Sequence, residues 1–112
     1  MLFGEGKFIV GCNYWASHAG TRMWNDWQPE VIDADFARLS ELDIELLRIF
    51  PLWPDFQPLQ MLYAGSNTPY ELSWPGDRPI DPEVDGSLSG VLPEMLTRLR
   101  FVCDTAAKYG FK

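Results

Sequence analysis

Two short apolar runs flank an amphipathic stretch in the first half of this chain, and that rhythm restricts the fold more than any other feature. Phe8-Ile9-Val10-Gly11-Cys12-Asn13-Tyr14 carries β-branched and aromatic residues without clean alternation, the pattern of a parallel-sheet strand buried on both faces. Pro29 suits the first position of a helix, and Glu30 beside it complements the helix dipole. Ile32, Phe36, Leu39 and Leu42 then recur at helical spacing, one apolar stripe that predicts a helix ending near Leu42, with Asp43 able to take a left-handed turn. Ile44-Glu45-Leu46-Leu47-Arg48-Ile49-Phe50 reads as a second strand, closed by Pro51. Strand, helix, strand is a βαβ unit, and the right-handed crossover rule makes its strands parallel.

Residues 51 to 91 break the rhythm. Pro51, Pro54, Pro58, Pro69, Pro75, Pro79 and Pro82 forbid a long helix there, and Gly65, Gly76, Gly86 and Gly90 mark turns. Trp53, Phe56, Leu59, Met61, Leu62, Tyr63, Tyr70, Leu72 and Trp74 are too apolar for disorder. The segment therefore predicts a folded, elaborated loop with room for a short hairpin. Leu92, Met95, Leu96, Leu99, Val102, Cys103 and Ala106 form a second helical stripe, Gly110 suits the position just past the helix end, and Phe111-Lys112 starts a third strand.

A barrel of eight βα units has about 250 residues, or roughly 31 per unit. At that spacing residues 1–112 hold two βα units, with residues 51–91 as an insertion after the second strand. Two strands do not close a barrel, and their edges expose unpaired backbone groups. The expectation is an incomplete α/β sheet whose remainder comes from a larger protein, or which is completed by another copy.

Composition narrows the partners. Sixteen acids against nine bases give a net charge of −7, which repels phosphate backbones and anionic lipid, so neither nucleic acid nor a membrane surface is an expected partner. No apolar run approaches the ~18 residues of a membrane span, and the first residues read as no secretory signal, so the cytoplasm is the expected location. Aromatic residues reach 14%, with five tryptophans. In an acidic chain they suit a surface that stacks the C–H faces of neutral sugars, and equally a core. Cys12 and Cys103 lie far apart in sequence and are expected to be buried free thiols. His18, the only histidine, sits in a polar loop where solvation is its ordinary state. It has no companion ligands, so no metal and no cofactor is expected. Asp26, Glu30, Asp33 and Asp35 are accounted for by the dipole of the first helix.

Several stretches together resemble the start of a clan A glycoside hydrolase, close to family 5, which contains cellulases and β-mannanases. They are Gly11-Cys12-Asn13-Tyr14-Trp15, Met23-Trp24-Asn25-Asp26-Trp27, Asp35-Phe36-Ala37-Arg38-Leu39, Leu47-Arg48-Ile49-Phe50-Pro51-Leu52-Trp53-Pro54-Asp55-Phe56-Gln57-Pro58, and Cys103-Asp104-Thr105-Ala106-Ala107-Lys108-Tyr109-Gly110-Phe111-Lys112. The resemblance covers nearly the whole chain but only the first quarter to third of the family's (β/α)8 barrel, so it implies that the two βα units are the first two of an incomplete α/β barrel. It implies a retaining β-glycosidase acting on oligo- or polysaccharides, with two catalytic glutamates at the ends of the fourth and seventh strands. Neither strand lies within these residues, so no catalytic residue is assigned, and the 112-residue chain alone is expected to be inactive.

The resemblance also implies a role for Arg48. In the family, an arginine near the end of the second strand hydrogen-bonds the nucleophilic glutamate, favouring its ionised form and fixing its orientation. The alternative is an arginine in a salt bridge at a strand terminus. Asn13, Tyr14 and Trp15 end the first strand and either line a sugar pocket or, for Tyr14 and Trp15, cap the barrel core. Trp53 and Phe56 form a stacking platform, or simply pack the long loop. Trp24 and Trp27 read as packing at the barrel rim. Two other functions compete with the glycosidase: a non-catalytic saccharide-binding α/β module, and a structural subunit that completes its sheet by oligomerising.

Overall fold

The computed structural model describes residues 6–57, 60–62, 71–74, 78–79 and 91–112. It divides into two compact units, Met1–Phe50 with Leu99–Lys112, and Pro51–Arg98.

In the first unit, β1 (Gly11–Asn13) and β2 (Leu46–Arg48) pair in parallel, with Gly11 opposite Leu46, Cys12 opposite Leu47 and Asn13 opposite Arg48. The ladder runs past both strands. The Glu45 amide donates to the Val10 carbonyl at 2.9 Å and the Tyr14 amide to the Arg48 carbonyl at 3.0 Å. On the other side of β2, the Lys112 amide donates to the Glu45 carbonyl and the Leu47 amide to the Lys112 carbonyl, both at 2.9 Å. That staggered pair is the parallel pattern. Lys112 therefore enters the sheet beside β2, where the sequence predicts a third strand.

Between the strands, α1 (Pro29–Ser40) has Pro29 in its first turn with Glu30 beside it. Ile32 and Phe36 are fully buried. The helix ends at Ser40, so Leu42 falls beyond it and is 58% exposed rather than completing the stripe. The Phe36 ring meets Tyr14 edge-on at 4.7 Å and Phe111 at 5.9 Å, so α1 covers the face bearing Tyr14, Leu47 and Phe111. Here the expectation of strands buried on both faces is corrected. Leu47 is buried and Cys12 half-buried, while Gly11, Asn13 and Arg48 are exposed. Successive strand residues face opposite ways, and among the described residues helices cover one face alone.

Gly11 is required by that pairing. A Cβ at this position would lie 2.9 Å from both the Leu46 Cβ and the Leu46 carbonyl oxygen, closer than packed atoms approach. Gly11→Ala is expected to cost about 1–3 kcal/mol through forced separation of β1 and β2. Urea unfolding measures this, and a wild-type midpoint would refute it.

The connection from β1 to α1 is packed by aromatic residues. Met23 and Trp24 are buried. Trp24 stacks on Trp27 at 6.0 Å, and Trp27 meets Phe101 edge-on at 5.6 Å. The helix α3 (Pro93–Lys108) ends as Gly110 predicts. Gly110 has φ 79°, its amide donates to the Ala107 carbonyl, and the Phe111 amide reaches back to Ala106, the paired bonds of a Schellman cap. The stripe of α3 is displaced from the predicted one. Met95, Val102 and Thr105 are buried, whereas Leu96 and Cys103 are exposed. The buried Thr105 hydroxyl donates to the Phe101 carbonyl at 2.7 Å, which satisfies it within its own helix. Both cysteines are free, but Cys103 is exposed and Cys12 only half-buried, so the expected burial of both thiols does not hold.

Asp33 does more than complement a dipole. Its carboxylate accepts from Lys108 Nζ at 2.8 Å and from the Tyr109 hydroxyl at 3.0 Å, joining α1 to the end of α3. These two hydrogen bonds hold the Asp33 carboxyl below its ordinary range, and the Asp33 bond raises the Lys108 ammonium.

The second unit holds the long predicted loop. It opens with a single helical turn, α2 (Trp53–Phe56), with Pro54 in its first turn. β3 (Gln60–Leu62), β4 (Glu71–Trp74) and β5 (Arg78–Pro79) then form an antiparallel sheet in sequence order. The Leu92 amide donates to the Phe56 carbonyl at 2.8 Å. The turns predicted at Gly65, Gly76, Gly86 and Gly90, and the apolar residues Leu59, Tyr63 and Tyr70, lie outside the described residues. Among the described residues no helix is long and apolar enough to cross a membrane.

Candidate functional site

The uncovered face of the parallel sheet carries its polar residues at the carboxyl ends of the strands, where α/β folds place their ligands. Asn13 and Arg48 stand in register, so both side chains leave the same face, and both are exposed. A shallow concavity of about 420 Å³ is lined by Gly11, Cys12, Asn13, Leu46 and Arg48. The absent side chain of Gly11 leaves part of that space open.

Beyond the ladder the same face becomes aromatic. Trp15 stacks on Phe50 with centroids 4.7 Å apart and planes 14° from parallel. The Arg48 guanidinium carbon lies 4.7 Å from the Phe50 ring centroid, a cation–π contact that restrains an otherwise long, mobile side chain. Among the described residues, no carboxylate lies within ion-pair distance of Arg48. A guanidinium so held presents donors in a fixed fork suited to a carboxylate. Asn13 beside it supplies both a donor and an acceptor.

Tyr14 belongs to the opposite face. Its ring packs on Phe36, and its hydroxyl donates to Asp35 Oδ2 at 2.8 Å. The Ser17 amide donates to the same oxygen at 2.9 Å and the Ser17 hydroxyl to Asp35 Oδ1 at 2.7 Å. Burial first, and then the Asp35 carboxylate, push the Tyr14 phenol far above its ordinary value, so it stays protonated as a donor. Of the two readings open for Tyr14, its position fits core packing. Tyr14, Ser17, Asp35, Arg38 and Leu42 line a second groove, of about 470 Å³.

His18 is not solvated. Its side chain is 14% exposed, and Nε2 lies 2.7 Å from the Asp26 carbonyl oxygen. A loop that folds back on itself encloses the ring, with an Ala16–Gly20 bridge at its start. Among the described residues no group of three metal-ligating side chains converges. Trp53 and Phe56 belong to the second unit. Trp53 is 73% exposed, whereas Phe56 is buried and offers no face for stacking. Of the two readings open for the pair, buried Phe56 fits packing of the loop, and Trp53 keeps an open ring.

Sequence reasoning did not single out Phe50, Ser17 or the role of Asp35. For Phe50 a signal existed, since it follows Arg48 by two residues and so shares its strand face. Nothing local connects Asp35 to Tyr14 and Ser17. No protein-family model matches the chain, and neither a curated protein nor a solved structure matches it.

Proposed function

We propose that this chain supplies the first two βα units of a (β/α)8 barrel that hydrolyses β-linked glucosides, mannosides or galactosides with retention. In this reading Arg48 holds the nucleophilic carboxylate, which another part of the protein provides. The observation that carries the reading is the arginine lying on Phe50, in register with Asn13, on an uncovered face at the strands' carboxyl ends. A barrel makes that face its interior and that end its active site. The order β1, β2, Lys112 supports it, although half of a doubly wound sheet has the same order. The stretches from Gly11 to Trp15 and from Leu47 to Pro58 favour the barrel.

The chemistry follows from the guanidinium. A retaining glycosidase needs one carboxylate ionised and aimed at the anomeric carbon. Two charge-assisted hydrogen bonds from a planar fork stabilise the anion and remove its rotational freedom. Asn13 is placed to hydrogen-bond a sugar hydroxyl, and the edge of the Trp15–Phe50 stack offers apolar surface to a C–H face.

The stacked pair beside Asn13 also favours a second reading, a saccharide-binding module without chemistry. Turnover of aryl β-glucosides, β-mannosides and β-galactosides separates the two. The 112-residue chain alone is expected to give none. In a longer protein carrying it, Arg48→Gln is expected to lower kcat by about 10- to 100-fold with KM nearly unchanged, since one charged hydrogen bond contributes about 1.5–3 kcal/mol. Turnover by the isolated chain, or a longer protein inert on all three substrates, would overturn the proposal. Saccharide binding without turnover would establish the second reading.

A further inference from the structure

We propose that Trp24 is the positioning residue for Arg48. Its indole Nε1–H donates to the Phe50 carbonyl at 2.8 Å, and Phe50 is the ring on which the Arg48 guanidinium lies and against which Trp15 stacks. The purpose of the device rests on the function proposed above. Its existence rests on geometry alone.

The chain leaving β2 needs such a restraint. The last paired residue of the strand is Arg48, so Phe50 stands beyond the β1–β2 ladder. Pro51 follows with no amide hydrogen and cannot extend the sheet. It does confine Phe50 to extended backbone, but that leaves the orientation of the Phe50 peptide group open. Trp24 supplies the missing anchor. It is fully buried, with Trp27 stacked against it and Phe101 closing over Trp27, so its indole N–H is held by packing that reaches α3. The donor is therefore fixed by buried packing, which distinguishes it from a flexible surface hydrogen bond. From the Phe50 carbonyl the constraint passes along one residue to its ring, and from the ring to Arg48 and Trp15. An arginine that must hold a carboxylate within a narrow geometry gains from a fixed support of this kind.

The test replaces the donor and reads the arginine. In the folded wild-type chain the Phe50 ring, 4.7 Å from the Arg48 guanidinium carbon, is expected to displace the Arg48 side-chain proton resonances upfield. Trp24→Phe keeps an aromatic ring and removes the N–H. Replacing the Trp24 indole with benzothiophene by semisynthesis keeps shape and burial as well, so the question survives if Trp24→Phe fails to fold. The expected result in either folded variant is loss of most of the Arg48 upfield displacement together with a shifted Trp15 indole resonance. The Tyr109 and Lys108 resonances at the Asp33 contact should stay in place. Arg48 and Trp15 resonances unchanged in a folded variant would overturn the inference. Failure of glycoside turnover leaves this spectroscopic result untouched, so the two proposals fall separately.

Discussion

Phe36→Ala should remove about 3–5 kcal/mol of stability, a large share of the roughly 5–15 kcal/mol that holds a domain folded. The ring is fully buried and joins three parts of the chain. It meets Tyr14 after β1 and Phe111 beside β2, from its place in α1. Alanine would leave a cavity that neither neighbour is free to fill, because the Tyr14 amide is bonded to Arg48 in the sheet and the Phe111 amide to Ala106 at the end of α3. Phe36→Leu, which keeps most of the volume, should lose much less. Urea denaturation followed by circular dichroism reads both, and a loss below about 1 kcal/mol for the alanine variant would show that the face under α1 is not a packed core.

The second large effect is expected at Asp35. Its two oxygens accept three hydrogen bonds, from the Tyr14 hydroxyl and from the amide and hydroxyl of Ser17. Asp35→Ala leaves a buried phenol without its acceptor and frees the loop after β1. The expected cost is about 2–3 kcal/mol, since bonds to a charged acceptor contribute more than neutral ones and an orphaned buried donor adds its desolvation. Tyr14 also gives this contact a pH signature. Its folded pKa lies above the ordinary 10.0, mainly through burial, so between those values the unfolded chain loses a proton that the folded chain keeps. The contribution is intact below pH 10 and falls by about 1.4 kcal/mol per pH unit above it. Tyr14→Phe should abolish that component of the alkaline loss, and equal alkaline slopes for variant and wild type would contradict it.

What was legible in the sequence was local. Pro29 and the spacing of Ile32 and Phe36 announce α1, and Gly110 announces the end of α3, because each depends on a few consecutive residues. Arg48 stood out because a charge inside an apolar run demands a reason. Periodicity alone, however, does not say where burial ends. Leu42 and Cys103 continue their stripes on paper yet are exposed, since Leu42 falls past the end of α1 and Cys103 lies on an exposed side of α3. The open face of the sheet was hidden as well, as an apolar run looks alike whether one side or two are covered. Asp33 and Asp35 were read as helix acids. Their partners lie on other elements, and no local pattern encodes a tertiary hydrogen bond. The β3–β4–β5 register was equally out of reach, because strand pairing is chosen across the sheet rather than along it.

Lys112 bears on the order in which the first unit assembles. The chain separating it from β2 is roughly twice as long as that joining β1 to β2, yet loop-closure entropy rises only by about 0.6 kcal/mol for each doubling of length. Distance along the chain therefore does little to schedule the two pairings. Phe111 packs against Phe36 and so holds Lys112 at the edge of β2, and the two neighbours of β2 are expected to condense within a single nucleus rather than in succession.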